Sequence, residues 1–133
     1  MNGRAVRGPP AIRWLAVLTW MAVIFLLSAQ PGLRVSQDPA VDGPARAMGH
    51  VTVFAVLGAL LLNALAQPGS SARRAIALAL LLAALYAVSD EAHQAFVPER
   101  SARLHDVLLD VAGASIGVSV MAALLRLRSR SGR

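Results

Sequence analysis

Cysteine and lysine are both missing from this 133-residue chain, and charged residues make up only 15% of it. Without cysteine the protein forms no disulfide, uses no thiolate and binds no zinc through sulfur. A soluble domain usually carries about a quarter charged residues, whereas this chain is 56% apolar with a mean hydropathy of +0.59. These values exclude a disordered chain, which needs low hydrophobicity, and they point to a small integral membrane protein.

Four apolar runs are long enough to cross a bilayer, which takes roughly 20 residues with a range of about 17 to 25. They cover residues 12–29, 47–66, 75–94 and 107–125. No alternation of period two supports a barrel, and the proline- and glycine-rich stretches, including Gly43 and Pro44, fall between the runs. The sequence therefore predicts one all-α domain over residues 1–133, an integral membrane bundle of four transmembrane helices.

The first run has a second interpretation, a cleaved signal peptide, because an arginine-containing segment precedes it. Its apolar core of about 18 residues is long, since the core of a signal peptide has about 7 to 15. Leu27 also stands where a cleavage site prefers a small residue. We therefore expect the first run to be retained as a helix.

All thirteen basic residues are arginine, and their placement predicts the orientation of the bundle, because cytoplasmic flanks hold the excess of basic residues. One side of the membrane receives nine of them: Arg4, Arg7, Arg13, Arg73, Arg74, Arg126, Arg128, Arg130 and Arg133. The other side receives four arginines, all seven acidic residues and all three histidines. We expect both termini in the cytoplasm and a multi-pass protein of the bacterial cell membrane. The net charge of +6 then reports topology rather than a nucleic-acid partner.

Polar residues at the end of the third run form the first part of a candidate site on the acidic side. Asp90, His93 and Gln94 are spaced i, i+3 and i+4, so they share one face of a helix. Glu91 points about a quarter-turn away from that face. Arg100 follows in the next loop.

A second stripe opens the fourth run. Asp106, Asp110, Gly113 and Gly117 are spaced 4, 3 and 4 residues apart, which keeps them on one narrow helix face. The two glycines allow a neighbouring helix to approach closely. We therefore expect both aspartates to point into the bundle.

A carboxylate inside a membrane needs a partner, because it costs roughly 2.5–3.5 kcal/mol at the centre of a helix. For Asp110 we expect an arginine of the adjoining loop, Arg100 or Arg103, with His50 or His93 as alternatives. A purely structural role for the aspartates, as pairs that fix helix packing, is equally open.

These residues resemble the VanZ-like family of bacterial membrane proteins, from about Phe25 to Gly117. The strongest element is Ser89-Asp90-Glu91-x-His93-Gln94-x-Phe96-x-Pro98-x-Arg100, followed by Asp106, Gly113 and Gly117. Weaker elements are Phe25-x-x-Ser28-x-Gln30-Pro31 and His50. The chain departs from the family pattern at Ala47, Val51 and Phe54, at Glu99, where glycine is common, and at Asp110, where asparagine is frequent. The family is named for a member linked to teicoplanin-type glycopeptide resistance, and the resemblance makes that a candidate role without establishing it.

We expect the polar residues to act on, or bind, a component of the cell envelope at the outer membrane face. The candidate acid–base residues are Asp90, His93 and Asp106, for which binding of a divalent ion is the alternative. The candidate ligand-binding residues are Glu91, Gln94, Arg100, His50 and Asp110, with Arg100 holding an anionic group such as a lipid phosphate. The alternative is a non-catalytic accessory protein that binds a drug, lipid or partner. A transporter is less favoured, because the other halves of the helices offer little polarity beyond Asn63.

The expected partners follow from this setting. Membrane lipid surrounds the bundle, an envelope lipid or a peptidoglycan precursor is the candidate ligand, and a homo-oligomer is compatible with a bundle this small. No nucleic acid is expected. The residues specify no cofactor, and no metal ligand is assigned because a compact motif such as His-Glu-x-x-His does not occur.

Overall fold

The computed structural model describes residues 9–131 and is helical apart from its connections, with no strand in that range. The four helices are α1 (Pro10–Ser28), α2 (Pro39–Leu65), α3 (Ala72–Gln94) and α4 (Leu104–Ser131). Each is long and apolar enough to cross a membrane. The predicted all-α bundle of four membrane-spanning helices is therefore confirmed. The orientation of the termini stays a prediction, and three of the arginines that support it lie outside the described residues: Arg4, Arg7 and Arg133.

α2 begins at Pro39 rather than near residue 47, so the predicted break at Gly43 and Pro44 is wrong. Proline is well suited to the first helical position, where its missing N–H has no partner to lose. Asp38 caps the helix by accepting a hydrogen bond from the amide of Ala40. Pro44 lies inside the helix near its beginning. It removes one backbone hydrogen bond there, and the helix continues past it.

α4 also exceeds its predicted range of 107–125 at both ends. Hydropathy defined that range, and hydropathy falls where the side chains become charged, whereas the helical backbone continues. Arginine favours helices, and the cations Arg128 and Arg130 in the last turn complement the negative end of the helix dipole. α1 and α3 lie close to their predicted ranges.

The backbones of α2 and α4 touch along a seam of small residues. Gly113 lies against the backbone of Val51, and Gly117 lies against that of Ala55, so closely that a methyl group on either glycine would overlap a carbonyl. Small residues permit such contacts in membranes, where lipid tails leave little hydrophobic drive between helices. The predicted close approach of a neighbouring helix is confirmed, and α2 is that helix.

α3 packs through a stripe of fully buried alanines spaced four residues apart: Ala75, Ala79, Ala83 and Ala87. The same stripe ends in three buried polar residues, Asp90, Glu91 and Gln94. α1 is tied to this core from both sides, because Trp20 Nε1 donates to the Val53 carbonyl (2.8 Å) and the Tyr86 hydroxyl donates to the Met21 carbonyl (2.6 Å).

Candidate functional site

The candidate residues gather at one end of the bundle, where α1 and α3 finish and α2 and α4 begin, which we call the polar end. Five of them are buried there: Asp90, Glu91, Gln94, Asp106 and Asp110. The other three are half-buried: His50, His93 and Arg100. Buried polar groups are costly unless they are hydrogen-bonded, so the partners of each residue decide what this end can do.

A chain of hydrogen bonds joins the end of α1 to the end of α3. Ser28 Oγ donates to Asp90 Oδ1 at 2.6 Å, and Gln94 Nε2 donates to Asp90 Oδ2 at 3.0 Å. Arg100 Nη1 continues the chain by donating to Gln94 Oε1 at 3.0 Å. Both oxygens of Asp90 are thus engaged within the protein.

Arg100 also closes the end of α1. Its Nη2 donates to the Leu27 carbonyl (3.1 Å) in the last turn of α1, and its Nε donates to the Gln30 carbonyl (3.2 Å) just beyond it, so a cation lies at the negative end of the helix. Burial, and secondarily the neighbouring Arg46, lowers the pKa of Arg100. A guanidinium stays charged in proteins nevertheless. Three nitrogens of Arg100 are therefore committed to holding the local structure.

Asp110 pairs with His50 rather than with an arginine, so the expected pairing with Arg100 or Arg103 is wrong. Oδ1 of Asp110 lies 2.9 Å from Nδ1 of His50, across the seam between α4 and α2. The close seam places these two side chains opposite each other, while Arg100 is directed to the end of α1. The second oxygen of Asp110 is buried and has no hydrogen-bond partner within residues 9–131.

Glu91 lies inside the bundle, 4% exposed, facing the loop that precedes α4. Its Oε1 accepts a hydrogen bond from the backbone N–H of Arg103. Its Oε2 is buried and lacks a hydrogen-bond partner in the described part of the chain. Asp106, 8% exposed, occupies the first turn of α4.

His93 contacts α1. Its ring stacks on that of Phe25 with centroids 4.5 Å apart and an interplanar angle of 28°. Its Nε2 is buried and, among the described residues, has no hydrogen-bond partner. The stacking explains why Phe25 and His93, which lie far apart in sequence, both belong to the motifs singled out above.

Two cavities open at the polar end. The first, the apolar pocket, has a volume of about 160 Å³ and lies between α1, α2 and the end of α3. Its walls are mainly aliphatic and aromatic, including Ile24, Leu27, Leu33, Val53 and Phe54. Its polar groups are Ser28, Arg46, His50, Asp90, Gln94 and Arg100.

The second cavity, the arginine groove, has a volume of about 590 Å³ and lies between the beginnings of α2 and α4. Its charged and titratable side chains are Arg34, Asp42, Arg46, Arg103, His105 and Asp106. Arg46 lines both cavities, so the apolar pocket and the arginine groove meet at its side chain.

The candidate residues do not all line the same cavity. His50, Asp90, Gln94 and Arg100 line the apolar pocket, and Asp106 lines the arginine groove. Glu91, His93 and Asp110 line neither. The three candidate acid–base residues thus share no cavity, and within residues 9–131 no three carboxylate or imidazole side chains converge to hold a metal ion.

Arg46 is the site residue that the sequence pattern did not single out, because it was counted only toward the topology. It stands four residues before His50, and that i, i+4 spacing on one helix face was a usable signal once α2 is known to begin at Pro39. Ser28 belonged to the motif at the end of α1, but nothing in the sequence indicated Asp90 as its partner.

The comparison with protein families covers nearly the whole bundle. The model of the VanZ/LLP1 family matches residues 13–126, a stretch that contains every candidate residue. No curated protein and no solved structure was found to be similar to the chain. With four apolar helices and a family match over most of its length, the chain is a membrane protein that belongs to the VanZ/LLP1 family.

Proposed function

We propose that this protein binds an anionic lipid of the cell envelope in the apolar pocket, and that the polar end faces away from the cytoplasm. The observation that carries the proposal is Arg46. It lies at an apolar cavity and makes no hydrogen bond or ion pair within residues 9–131. Arg46 is attracted electrostatically to Asp42 but forms no ion pair with it, so its guanidinium donors are open to a ligand with an anionic head and a hydrocarbon chain.

The walls of the apolar pocket support the hydrocarbon part of this ligand. Ile24 and Leu27 of α1 face Val53 and Phe54 of α2 across the pocket. Each methylene group that a ligand buries there contributes about 0.8 kcal/mol. A cavity near 150 Å³ with aliphatic and aromatic walls holds a molecule of about the size of benzene, so this pocket would take a short section of a lipid chain.

The charges around the pocket support an anionic head. Arg46 and Arg100 are cations, and His50 is a third nitrogen group, whereas Asp90 is the one acid in the lining. Both oxygens of Asp90 accept hydrogen bonds from Ser28 and Gln94, and Asp90 makes no ion pair with Arg46 within residues 9–131. Hydrogen bonds between arginine and phosphate are charge-assisted and about twice as strong as neutral ones.

The same hydrogen bonds favour binding over turnover. A general acid or base must exchange its proton with the ligand, and Asp90 is instead held by Ser28 and Gln94. The outward orientation is supported by the arginines, which lie mainly at the opposite end of the chain's helices. A lipid-linked peptidoglycan precursor belongs to the proposed ligand class and would connect this site to glycopeptide resistance.

Native mass spectrometry of the purified protein, titrated with phosphatidylglycerol or with phosphatidylcholine of the same chains, tests the proposal. We expect phosphatidylglycerol to be retained preferentially. Arg46→Gln should lower its affinity about tenfold, because one charge-assisted contact is lost. Arg74→Gln is the matched control, since Arg74 is exposed at the other end of the bundle and should leave binding unchanged. Equal retention of the two lipids, or equal losses in both variants, would contradict the proposal.

A further inference from the structure

The arginine groove continues the site beyond the apolar pocket. Because Arg46 lines both cavities, an anionic head held by Arg46 lies at the entrance of the groove. The groove has more than three times the volume of the pocket, about 590 against about 160 Å³. A ligand that ended at its first anionic group would leave the groove unfilled.

Several guanidinium N–H groups of the groove arginines make no hydrogen bond among the described residues. Arg34 makes no hydrogen bond or ion pair among the described residues. Arg103 uses only its Nε, which donates to Ser101 Oγ at 3.2 Å, so its two terminal nitrogens are not engaged. Both side chains are exposed to the groove and line it together with Arg46.

Two acids also line the groove, and Asp42 is attracted electrostatically to both Arg34 and Arg46, so three arginines and two aspartates leave an excess of one positive charge. One oxygen of Asp42 accepts from the amides of Val35 (2.7 Å) and Ser36 (3.3 Å), which ties it to the connection after α1. Asp106 also lines the groove and is 8% exposed. The groove also lies where α2 and α4 begin, and the positive ends of two helix dipoles add to the attraction for an anion.

We infer that the ligand of this site is a lipid diphosphate, a chain that carries two consecutive phosphate groups. The first phosphate lies at Arg46, at the junction of the two cavities, and the second lies in the groove between Arg34 and Arg103. This inference rests on the proposed lipid-binding function and narrows its ligand from any anionic lipid to one with two adjacent anionic groups. Arginine is suited to this task, because its planar fork binds two phosphate oxygens at once.

Three probes that share one prenyl chain test the inference: farnesol, farnesyl phosphate and farnesyl diphosphate. Their affinities are measured on the purified protein in detergent at fixed ionic strength. We expect farnesyl phosphate to bind more tightly than farnesol, and farnesyl diphosphate to bind about tenfold more tightly than the monophosphate. The double variant Arg34→Gln/Arg103→Gln should remove the advantage of the diphosphate and leave the affinity for the monophosphate unchanged. Arg46→Gln should weaken both phosphates.

The control is Arg73→Gln/Arg74→Gln, which removes the same charge at the opposite end of the bundle and should preserve every ratio. Unfolding temperatures of all variants confirm that they fold. Equal affinity of wild type for the two phosphates, or an unchanged ratio in Arg34→Gln/Arg103→Gln, would overturn the inference and leave the proposed function standing. Binding of neither phosphate beyond the level of farnesol would overturn both.

Discussion

At the end of the bundle opposite the polar end, one buried arginine makes hydrogen bonds that join α1 to the end of α2. Arg13 of α1 donates through Nη1 to the Asn63 carbonyl (3.1 Å) and through Nη2 to Gln67 Oε1 (3.0 Å), and it thereby closes the last turn of α2. Only its Nε is buried without a hydrogen-bond partner in the described part of the chain. The polar end differs, because it buries six polar side chains, including Ser28.

Three side chains of the polar end keep a buried atom without a hydrogen-bond partner among residues 9–131: Glu91, His93 and Asp110. Native proteins satisfy the large majority of their buried polar atoms, so each exception calls for an explanation. At the opposite end Arg13 supplies two hydrogen bonds from α1, which add to the bond from Trp20 to the Val53 carbonyl. The polar end therefore buries more polar groups than the opposite end does, as the binding role proposed above would require.

The largest effect should come from breaking the buried pair at the polar end. Asp110→Ala leaves His50 without its partner and opens a space in the seam, and removal of one member of a buried pair costs about 3–5 kcal/mol of unfolding free energy. Thermal or denaturant unfolding of the purified protein in detergent measures this loss. Asp110→Asn is the control, because its amide oxygen still accepts from His50 and should preserve most of the stability. An unchanged unfolding free energy in Asp110→Ala would show that the pair is dispensable.

The seam that positions this pair should be nearly as sensitive. Gly117→Ala places a methyl group against the Ala55 carbonyl, so α2 and α4 must separate, and overpacking of this kind costs about 1–3 kcal/mol. Gly49→Ala is the matched control, since nothing lies within 4 Å of the added carbon and the helix should be stabilised. Equal effects of the two substitutions on the unfolding temperature would mean that the close approach contributes nothing.

The connection between α1 and α3 should be weaker still. Ser28→Ala removes the donor to Asp90 Oδ1 and leaves a buried acceptor unsatisfied, at about 1–2 kcal/mol of unfolding free energy. Ser28→Thr keeps a hydroxyl and should recover much of the loss. Cross-linking efficiency between cysteines introduced into the exposed ends of α1 and α3 would report the same loosening. If Ser28→Ala were as stable as wild type, this hydrogen bond would not contribute to the stability of the polar end.

Sequence patterns were sufficient for the number of helices and for the inward face of α4, although they misplaced the start of α2 and both ends of α4. Four apolar runs predicted the four spans, and the spacing from Asp106 to Gly117 predicted an inward face docked on another helix. For Asp110 the sequence preferred an arginine and named His50 only as an alternative, because the choice between His50 and Arg100 depends on where a loop arginine is directed. The direction of that arginine is set by the packing of the whole bundle, so the spacing of residues within one helix does not predict it.

One departure from the family pattern has a physical explanation that emerges only from the backbone. Glu99 stands where the family pattern described above has glycine, and its φ of 62° lies in the left-handed region. Glycine adopts that region without the steric penalty that a Cβ atom brings. The sequence showed the substitution, while the reason for the family preference became visible with the dihedral angle. Arg46 is a similar case. Its place in the walls of both cavities could be recognised only once α2 was known to begin at Pro39.

The smallest loss is expected at the opposite end, and it tests the comparison directly. Arg13→Met keeps the apolar stem but removes the donors to the Asn63 carbonyl and Gln67 Oε1, at about 1 kcal/mol of unfolding free energy. The loss is small because both acceptors are only partly buried, near the end of α2, where water can replace the guanidinium. Arg13→Lys retains a cation and should lose less. If Arg13→Met instead destabilised the bundle more than Asp110→Ala, the opposite end would be the one on which folding depends. The buried groups of the polar end would then contribute little to stability, and their retention would have to be explained by ligand binding alone.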